Sequence, residues 1–162
     1  MIKYLLALLL VFPPYGVANQ YPVNDSAVCL AQNIYFEAGN QPVAGKVAVA
    51  HVVLNRVAHE RFPDSICEVV YQTKEYKTSW RTGLPVPRRG MCQFSWYCDG
   101  KSDIPLDSVT YDLSYKLAGK IMAGEWADIT EGSMWYHATH VYPYWAGTLN
   151  QTVVINEHVF YK

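Results

Sequence analysis

Apolar residues recur at steps of three and four along residues 25–57, a spacing typical of α-helices. The first such run has its apolar positions at Val28, Ala31, Ile34, Tyr35 and Ala38. Asp25 or Ser26 is suited to cap this helix, because either side chain accepts a hydrogen bond from the free amides of a first turn. Gly39 is expected to end the helix in the left-handed conformation, where a β-carbon is costly.

A second helix is predicted to begin at Pro42, whose missing N–H costs nothing at the first helical position. Its apolar positions also follow steps of four and three: Val43, Val47, Ala50, Leu54 and Val57. Further valines at positions 49, 52 and 53 occupy other faces of this helix. The pattern therefore predicts a central helix that is buried on most sides.

The middle of the chain predicts two more helices around a long irregular segment. A short helix is expected in "DSICEVVYQ", after Pro63. Residues 73–105 contain Gly, Pro and several aromatic residues and are expected to be irregular. The fourth helix is expected from about Leu106 to Ala123, with Gly124 as its stop. Its buried stripe is predicted at Val109, Leu113, Leu117 and Ile121.

The C-terminal residues have the pattern of extended strands. "TVVI" and "HVFYK" flank Asn156 and Glu157, which predicts a small hairpin. Helices therefore come first, an aromatic and loop-rich segment follows, and a small β element ends the chain. This order is typical of the α+β class, and residues 19–162 fit one domain of ordinary size.

Residues 1–18 are predicted to be a secretory signal peptide. Lys3 precedes an apolar run from Tyr4 to Phe12, which is shorter than a membrane-spanning helix. Gly16, Val17 and Ala18 supply small residues for cleavage after position 18. We expect an exported protein, periplasmic or extracellular, without stable membrane association after cleavage. An uncleaved anchor is the alternative.

The net charge bears on the binding partners of the protein, and the cysteine content bears on its disulfide bonds. The formal net charge is −1 and the only basic cluster is Arg88–Arg89, so no nucleic-acid partner is expected. Four cysteines in an exported chain favour two disulfides. Their spacing does not choose among the three possible pairings, and we expect Cys92–Cys98 and Cys29–Cys67.

One residue stands out chemically in "NIYFEAGNQPVAGKVAVAHVVLNRV", residues 33–57: its lone acid, Glu37. In the last turn of a helix a carboxylate meets the negative end of the helix dipole, and apolar surroundings desolvate it. Both effects raise its pKa. A carboxylic acid that stays protonated near neutral pH can donate a proton to the leaving oxygen of a glycosidic bond. A solvated glutamate at a helix end is the alternative.

The same segment resembles the opening motif of the SleB-type cell-wall hydrolases. The resemblance continues through "RFPDSICEVVYQ", "CQFSW" and "YHATHVYPYWAGTLNQTVVINEHVFYK", and so covers residues 28–162. It implies a lysozyme-like α+β fold, a peptidoglycan lytic transglycosylase, and Glu37 as the catalytic acid. Many members have an "EARGE"-like sequence where this chain has the shorter "EAGNQ", without the basic residue.

The expected reaction needs one carboxylate rather than two. In a lytic transglycosylase the same glutamate protonates the glycosidic oxygen and then deprotonates the muramoyl 6-hydroxyl, which gives a 1,6-anhydromuramoyl end. No second acid has a distinctive spacing, and the candidates are Asp99, Asp103, Glu125, Asp128, Glu131 and Glu157. The expected partner is the glycan strand of peptidoglycan, bound by a monomer without cofactor or metal.

Side chains that hydrogen-bond or stack on sugars are candidates for the rest of the site. We expect Gln93 and Ser95 to line it, with Phe94 between them. Aromatic and imidazole walls are expected from Tyr136, His137, Tyr142, Tyr144 and Trp145, with Tyr136 nearest to Glu37.

Four alternatives remain open at this point. The first is a muramidase of the same fold that uses water, and the second is a non-catalytic cell-wall binding protein. The third is a zinc enzyme that uses His137, His140 and His158. The fourth is a cysteine peptidase that pairs Cys29 or Cys67 with His51, although His51 is more simply a core residue.

Overall fold

The computed structural model describes residues 25–162, so the predicted signal peptide lies outside the described part. The described residues form four α-helices: α1 (Ser26–Ala38), α2 (Val43–Val57), α3 (Ile66–Val70) and α4 (Ser108–Met122). Within residues 25–162 no helix is long and apolar enough to cross a membrane.

Helix α1 begins as predicted but ends differently. The side chain of Asp25 accepts a hydrogen bond from the backbone N–H of Ala27 at 2.8 Å and caps the first turn. The expected left-handed conformation of Gly39 is wrong: its φ is −56°, which is right-handed. Glycine is needed there for space instead, because an added Cβ would clash with the carbonyl oxygen of Tyr35.

Helix α2 is central, as predicted, with buried residues on most of its faces. It packs on α1, α3 and α4 around one apolar core. The disulfide Cys29–Cys67 is present and ties α1 to α3. Ser65 caps α3: its hydroxyl accepts from the N–H of Glu68 and donates to the Glu68 carboxylate at 2.8 Å.

Helix α4 ends at Met122 and is followed by its predicted stop, Gly124, with φ 78°, but half of its predicted apolar stripe is wrong. Leu117 and Ile121 are buried, whereas Val109 and Leu113 are exposed. The contact face of α4 is completed by two small buried residues, Ser114 and Ala118. Small side chains there let α4 approach α1 closely.

The C-terminal β element is a three-stranded antiparallel sheet of β3 (Trp135–Ala138), β4 (Gln151–Ile155) and β5 (His158–Tyr161), in the order β3-β5-β4. Asn156 and Glu157 form the predicted turn of the β4–β5 hairpin, where Asn156 has φ 51°. One face of this sheet places Phe160 against Ala48 and Val52 of α2. The sheet therefore packs directly on the central helix.

The segment predicted to be irregular contains regular structure. Strands β1 (Tyr76–Thr78) and β2 (Pro85–Pro87) form an antiparallel hairpin, and a 3₁₀-helix spans Ser95–Cys98. The expected disulfide Cys92–Cys98 closes the loop around that 3₁₀-helix. The strands of this hairpin are largely exposed and lack the alternation of apolar and polar residues that indicates a half-buried strand. The hydrophobic pattern therefore did not predict the hairpin.

Candidate active site

The candidate site is built around Glu37, in the last turn of α1. Its carboxylate oxygen Oε2 accepts a hydrogen bond of 2.8 Å from the hydroxyl of Tyr136, on β3. The two residues are 99 positions apart in the chain. Packing of the sheet on the helices therefore brings together the two side chains that were expected to be neighbours.

Burial dominates the electrostatics of Glu37, which is half-buried. Desolvation by the surrounding protein raises the pKa of the Glu37 carboxyl, while the hydrogen bond from Tyr136 and the positive charge of Arg56 lower it. The net direction of the pKa is upward. The protonated acid is thus favoured, and groups that stabilise the carboxylate are already in place.

Arg56 supplies a buried positive charge next to this pair. It lies near the end of α2 and is only 4% exposed. Its Nε donates a hydrogen bond of 2.8 Å to the carbonyl of Met134, and its guanidinium lies 5.3 Å from the ring centre of Phe62 and 5.0 Å from that of Phe94. Nη1 of Arg56 is buried without a hydrogen-bond partner among residues 25–162. A buried donor without a protein partner is uncommon in folded proteins, and the charge of this guanidinium lowers the pKa of Glu37.

The ring of Phe36, the neighbour of Glu37, stacks on Trp96 with 4.6 Å between ring centres. The indole N–H of Trp96 in turn donates to Oδ1 of the fully buried Asn33 at 3.0 Å. Because Asn33 lies one helical turn before Glu37, the 3₁₀-helix that carries Trp96 is fixed against the same helix. The arrangement ties the part of α1 that carries the acid to this 3₁₀-helix.

An open groove of about 630 Å³ runs beside this helix end. It is lined by residues of α1, the following turn and the start of α4: Tyr35, Phe36, Gly39, Asn40, Asp107 and Thr110. The hydroxyl of Tyr35 accepts hydrogen bonds of 3.1 Å from the backbone N–H groups of Leu106 and Asp107, which fixes the entry to α4. A groove with both aromatic and polar lining suits a glycan chain.

The short turn after Glu37 is held by side chains of α2 and of the β4–β5 turn. Nζ of the buried Lys46 donates to the carbonyl of Gly39 at 2.9 Å and also to the carbonyl of Gln41. The Gln41 amide donates to Oε2 of Glu157 at 2.7 Å. The two Lys46 bonds satisfy backbone carbonyls of the turn between α1 and α2. The shortened "EAGNQ" turn is therefore ordered by contacts of its own.

The segment Gln93–Ser95 divides between surface and core. Ser95 is exposed at the start of the 3₁₀-helix, and Gln93 is half-buried with its N–H bonded to the carbonyl of Gln72 at 2.9 Å. Phe94, expected among the substrate contacts, is only 2% exposed and packs in the core against Arg56. Burial removes Phe94 from any surface that a sugar can reach.

Side chains along β3 alternate between the two faces of the sheet. The residues expected to form aromatic walls therefore lie on different faces. The ring of Tyr136 contacts His158 and Phe160, on the face turned toward α2. His137 points to the opposite face, because neighbouring strand residues alternate. There it stacks on Tyr161, and the ring centres of Tyr142 and Trp145 lie 6.0 and 5.7 Å from its own.

His137, Tyr142 and Trp145, expected as parts of sugar-binding walls, therefore lie on the other face of the sheet from Tyr136. Both ring nitrogens of His137 are engaged: Nε2 lies 2.8 Å from the Tyr161 hydroxyl and Nδ1 lies 2.9 Å from the carbonyl of Ala138. Tyr144 is almost fully exposed in the same loop. His137 and Tyr161 are thus buried on this face of the sheet, whereas Tyr142 is exposed.

The metal and thiol alternatives find little support in the described residues. Within residues 25–162 no group of three or more His, Cys, Asp or Glu side chains is placed to hold a metal ion. Both candidate nucleophilic cysteines, Cys29 and Cys67, are joined in a disulfide. His51 is a buried core residue as predicted, with Nε2 3.2 Å from the carbonyl of Trp126.

Four of the six other acids considered from the sequence have local structural partners. Asp99 accepts from the N–H of Lys101 at 2.7 Å, and Asp128 accepts from Thr130, Gly132 and Asn55. Glu125 pairs with Lys120 at 3.8 Å, and Glu157 binds Gln41. None of the influences on the pKa of Glu37 comes from another carboxyl group of the described chain.

Arg56 is the site residue that sequence reasoning missed. Its signal was present, because it is a charged residue in the last turn of a helix otherwise predicted to be buried on most sides. A basic residue at such a position is costly unless an acid or a set of acceptors meets it.

Comparison with known proteins agrees with this geometry. A spore cortex-lytic enzyme of Oceanobacillus iheyensis is 36% identical over 64 residues, which is 40% of this chain and 23% of that enzyme. The spore cortex-lytic enzyme of Bacillus subtilis is 41% identical over 49 residues, 30% of this chain and 16% of that enzyme. The matches thus span less than a quarter of the length of these relatives.

Two solved structures share the fold over 90% of this chain. The catalytic domain of the germination-specific lytic transglycosylase SleB from Bacillus anthracis matches over its full length, with a TM-score of 0.63 and 26% identity. The catalytic domain of the Bacillus cereus SleB protein matches over 95% of its length, with a TM-score of 0.59 and 23% identity. These matches confirm the expected lysozyme-like α+β fold.

The family model described as Cell Wall Hydrolase matches residues 40–161, three quarters of the chain. The matched stretch contains Arg56, the 3₁₀-helix with Trp96 and the strand that carries Tyr136. The chain therefore belongs to the cell wall hydrolase family.

Proposed function

We propose that this chain cleaves the glycosidic bond between N-acetylmuramic acid and N-acetylglucosamine in peptidoglycan, as a lytic transglycosylase with Glu37 as both acid and base. The observation that carries the proposal is the setting of Glu37: a half-buried carboxyl of raised pKa that accepts from Tyr136 and has no second carboxyl acting on it among the described residues. Similarity to the SleB lytic transglycosylase of Bacillus anthracis supports the same reaction.

In the first step the protonated Glu37 donates its proton to the glycosidic oxygen as the bond from that oxygen to the anomeric carbon breaks. The leaving sugar departs as an alcohol, and positive charge develops on the muramoyl ring. Glu37 is left ionised. The hydrogen bond from Tyr136 and the charge of Arg56, both of which lower the pKa of Glu37, stabilise that carboxylate.

In the second step the Glu37 carboxylate accepts the proton of the muramoyl 6-hydroxyl, and that oxygen bonds to the anomeric carbon. The acid is regenerated, and the product ends in a 1,6-anhydro ring without consumption of water. A water-using retaining or inverting glycosidase needs a second carboxylate at a defined distance from the first. The local partners of Asp99, Asp128 and Glu157 favour the one-carboxylate route.

The groove beside α1 is the proposed approach path of the glycan strand. Glu37 is not part of its lining, which includes the preceding residue Phe36. Tyr35 and Phe36 supply aromatic surface, and Asn40 and Thr110 supply polar groups for sugar hydroxyls and acetamides. Ser95 and Gln93 lie on the segment that leads into Trp96 and are proposed as further sugar contacts. We also propose that the chain is exported and that its signal is cleaved after residue 18, because the substrate lies outside the cytoplasm.

The chemical form of the muramoyl end that cleavage creates tests this function. Peptidoglycan digested in ¹⁸O-labelled water should yield muramoyl ends that carry no label and are lighter than hydrolysis products by one water molecule. Labelled reducing ends would show a muramidase instead. Retained wall binding without released fragments would show a binding protein.

A further inference from the structure

The hairpin of β1 and β2, with its flanking residues 73–91, is the most basic part of the described chain. It carries five basic side chains and one acidic one, a net charge of +4. All five basic residues are exposed: Lys74, Lys77, Arg81, Arg88 and Arg89. Of these, only Arg88 is paired with an acid within the described chain, at 2.5 Å from Glu75. The hairpin therefore presents free positive charge to its surroundings.

The rest of the described chain has the opposite charge. Outside the hairpin, residues 25–162 hold seven basic and thirteen acidic side chains, a net charge of −6. A molecule with this separation of charge is oriented by an anionic polymer, which attracts the hairpin and repels the remaining surface. Five of the twelve basic side chains of residues 25–162 lie on this one element, which makes it a candidate docking surface.

The tip of the hairpin adds exposed apolar groups to the charge. Trp80 is 89% exposed and Leu84 is 63% exposed. In their turn the N–H of Ser79 donates to the carbonyl of Leu84, and the N–H of Gly83 donates to the carbonyl of Ser79. The guanidinium of Arg81 lies 5.3 Å from the ring centre of Trp80. An exposed indole with an arginine beside it offers a sugar-stacking face and a carboxylate-binding fork at one place.

The base of the hairpin is fixed to the wall of the candidate site. Thr73 pairs with Cys92 in a β-bridge, and Cys92 is joined to Cys98 at the end of the 3₁₀-helix. That same 3₁₀-helix holds Trp96 against Phe36, the neighbour of Glu37. A ligand bound by the hairpin is thus held at a fixed position relative to the acid.

We propose that the β1–β2 hairpin is a second substrate contact, which binds the carboxylates of peptide stems on peptidoglycan while the groove beside α1 holds the glycan. The inference rests on the proposed function, because that function makes peptidoglycan the polymer that both the groove and the hairpin bind. Arginine binds carboxylates through paired hydrogen bonds, and stems project at intervals along the strand. The attachment is electrostatic and therefore weakens with added salt.

Binding to insoluble sacculi, measured by sedimentation, tests the hairpin independently of turnover when Glu37→Gln is the background. The triple change Lys77→Gln, Arg81→Gln and Arg89→Gln should weaken binding about tenfold at low salt, and the difference should vanish at high salt. The matched control removes three charges elsewhere: Lys101→Gln, Lys116→Gln and Lys120→Gln. It should bind at least as well as the background protein.

Sacculi whose carboxyl groups have been converted to amides supply the complementary test. The background protein should bind them as weakly as the triple variant binds native sacculi. Equal binding of the triple variant and the charge control, or full binding to amidated sacculi, would overturn the proposal. Hairpin-dependent binding to phosphatidylglycerol vesicles, with sacculus binding unchanged in the triple variant, would instead assign the hairpin to a membrane surface.

With Glu37 intact, the ratio of cleavage of native sacculi to cleavage of soluble glycan without stems should fall in the triple variant. Replacement of Arg81 and Arg89 by Lys should keep that ratio nearer to the native value. Failure of the proposed glycosidase would appear as no cleavage of either substrate by the native protein, while the sedimentation result would still decide the role of the hairpin.

Discussion

The hydroxyl of Tyr136 donates a hydrogen bond of 2.8 Å to Oε2 of Glu37 and so joins the first helix to the C-terminal sheet. The bond links the acid to a strand that packs on the central helix. It also favours the ionised carboxyl, whereas burial favours the protonated one. A group that must give and then take a proton benefits from both influences.

Replacement of Tyr136→Phe should reduce the turnover of peptidoglycan about 10- to 100-fold, the rate equivalent of one hydrogen bond to a charged group. The bond lowers the pKa of Glu37, so its loss raises that pKa further. Because the first step needs the protonated acid, the alkaline limb of the pH–rate profile should move to higher pH. Tyr144→Phe, at an exposed tyrosine, is the control and should leave both unchanged.

Replacement of Glu37→Gln should abolish turnover and stabilise the fold near neutral pH. Burial raises the pKa of Glu37 above its ordinary value of 4.5, so the folded chain binds this proton more tightly than the unfolded chain. Stability contributed by the protonated group is complete below pH 4.5 and is lost as the pH rises through the folded pKa. The variant escapes that loss, and its melting temperature should exceed that of the native protein by roughly 3 °C at pH 7.

The pH dependence of this difference is the check. Thermal unfolding of both proteins should give melting temperatures that converge as the pH is lowered toward 4.5. A constant difference at every pH would show that the effect does not come from titration of Glu37.

Replacement of Arg56→Met should lower stability by about 1–3 kcal/mol, because the carbonyl of Met134 loses its charged donor. The positive charge of Arg56 lowers the pKa of Glu37, so the variant should also show a shift of the alkaline limb to higher pH. Urea unfolding and a pH–rate profile measure the two effects. Arg56→Lys should restore part of the charge effect, whereas a role in packing alone would leave the two variants with the same profile.

Removal of the bond between α1 and α3 by Cys29→Ala and Cys67→Ala should cost about 4 kcal/mol of stability, the loop-closure value for a separation of 38 residues. Urea unfolding of the double variant, compared with the native protein with and without reductant, measures this cost. If reductant destabilises the double variant as much as it does the native protein, the effect comes from the other disulfide.

Local patterns in the sequence predicted most of the fold. Asp25, Gly124 and the turn at Asn156 have the expected roles, because capping and turn chemistry depend on neighbours in the chain. The stripe at Val109 and Leu113 failed, because which face of α4 is buried depends on where α1 lies. The β1–β2 hairpin was missed because its exposed strands lack an apolar pattern.

The candidate site also contains features that the sequence predicts and features that depend on the packing of the whole fold. Glu37 was identifiable because one acid in an apolar run is conspicuous. Tyr136 and His137 lie on opposite faces of the sheet because side chains alternate along β3. Which of these faces packs on α2 is decided by the packing of the whole sheet. Arg56 comes next to Glu37 only through the contact of two helices that the sequence does not orient.

The most direct test of the central claim is a mass spectrum of the fragments that the native protein, Glu37→Gln and Glu60→Gln release from purified peptidoglycan. Glu60 is an exposed glutamate and serves as the matched control. We predict 1,6-anhydromuramoyl ends from the native protein and from Glu60→Gln, and none from Glu37→Gln. Release of the same fragments at the native rate by Glu37→Gln would contradict the account.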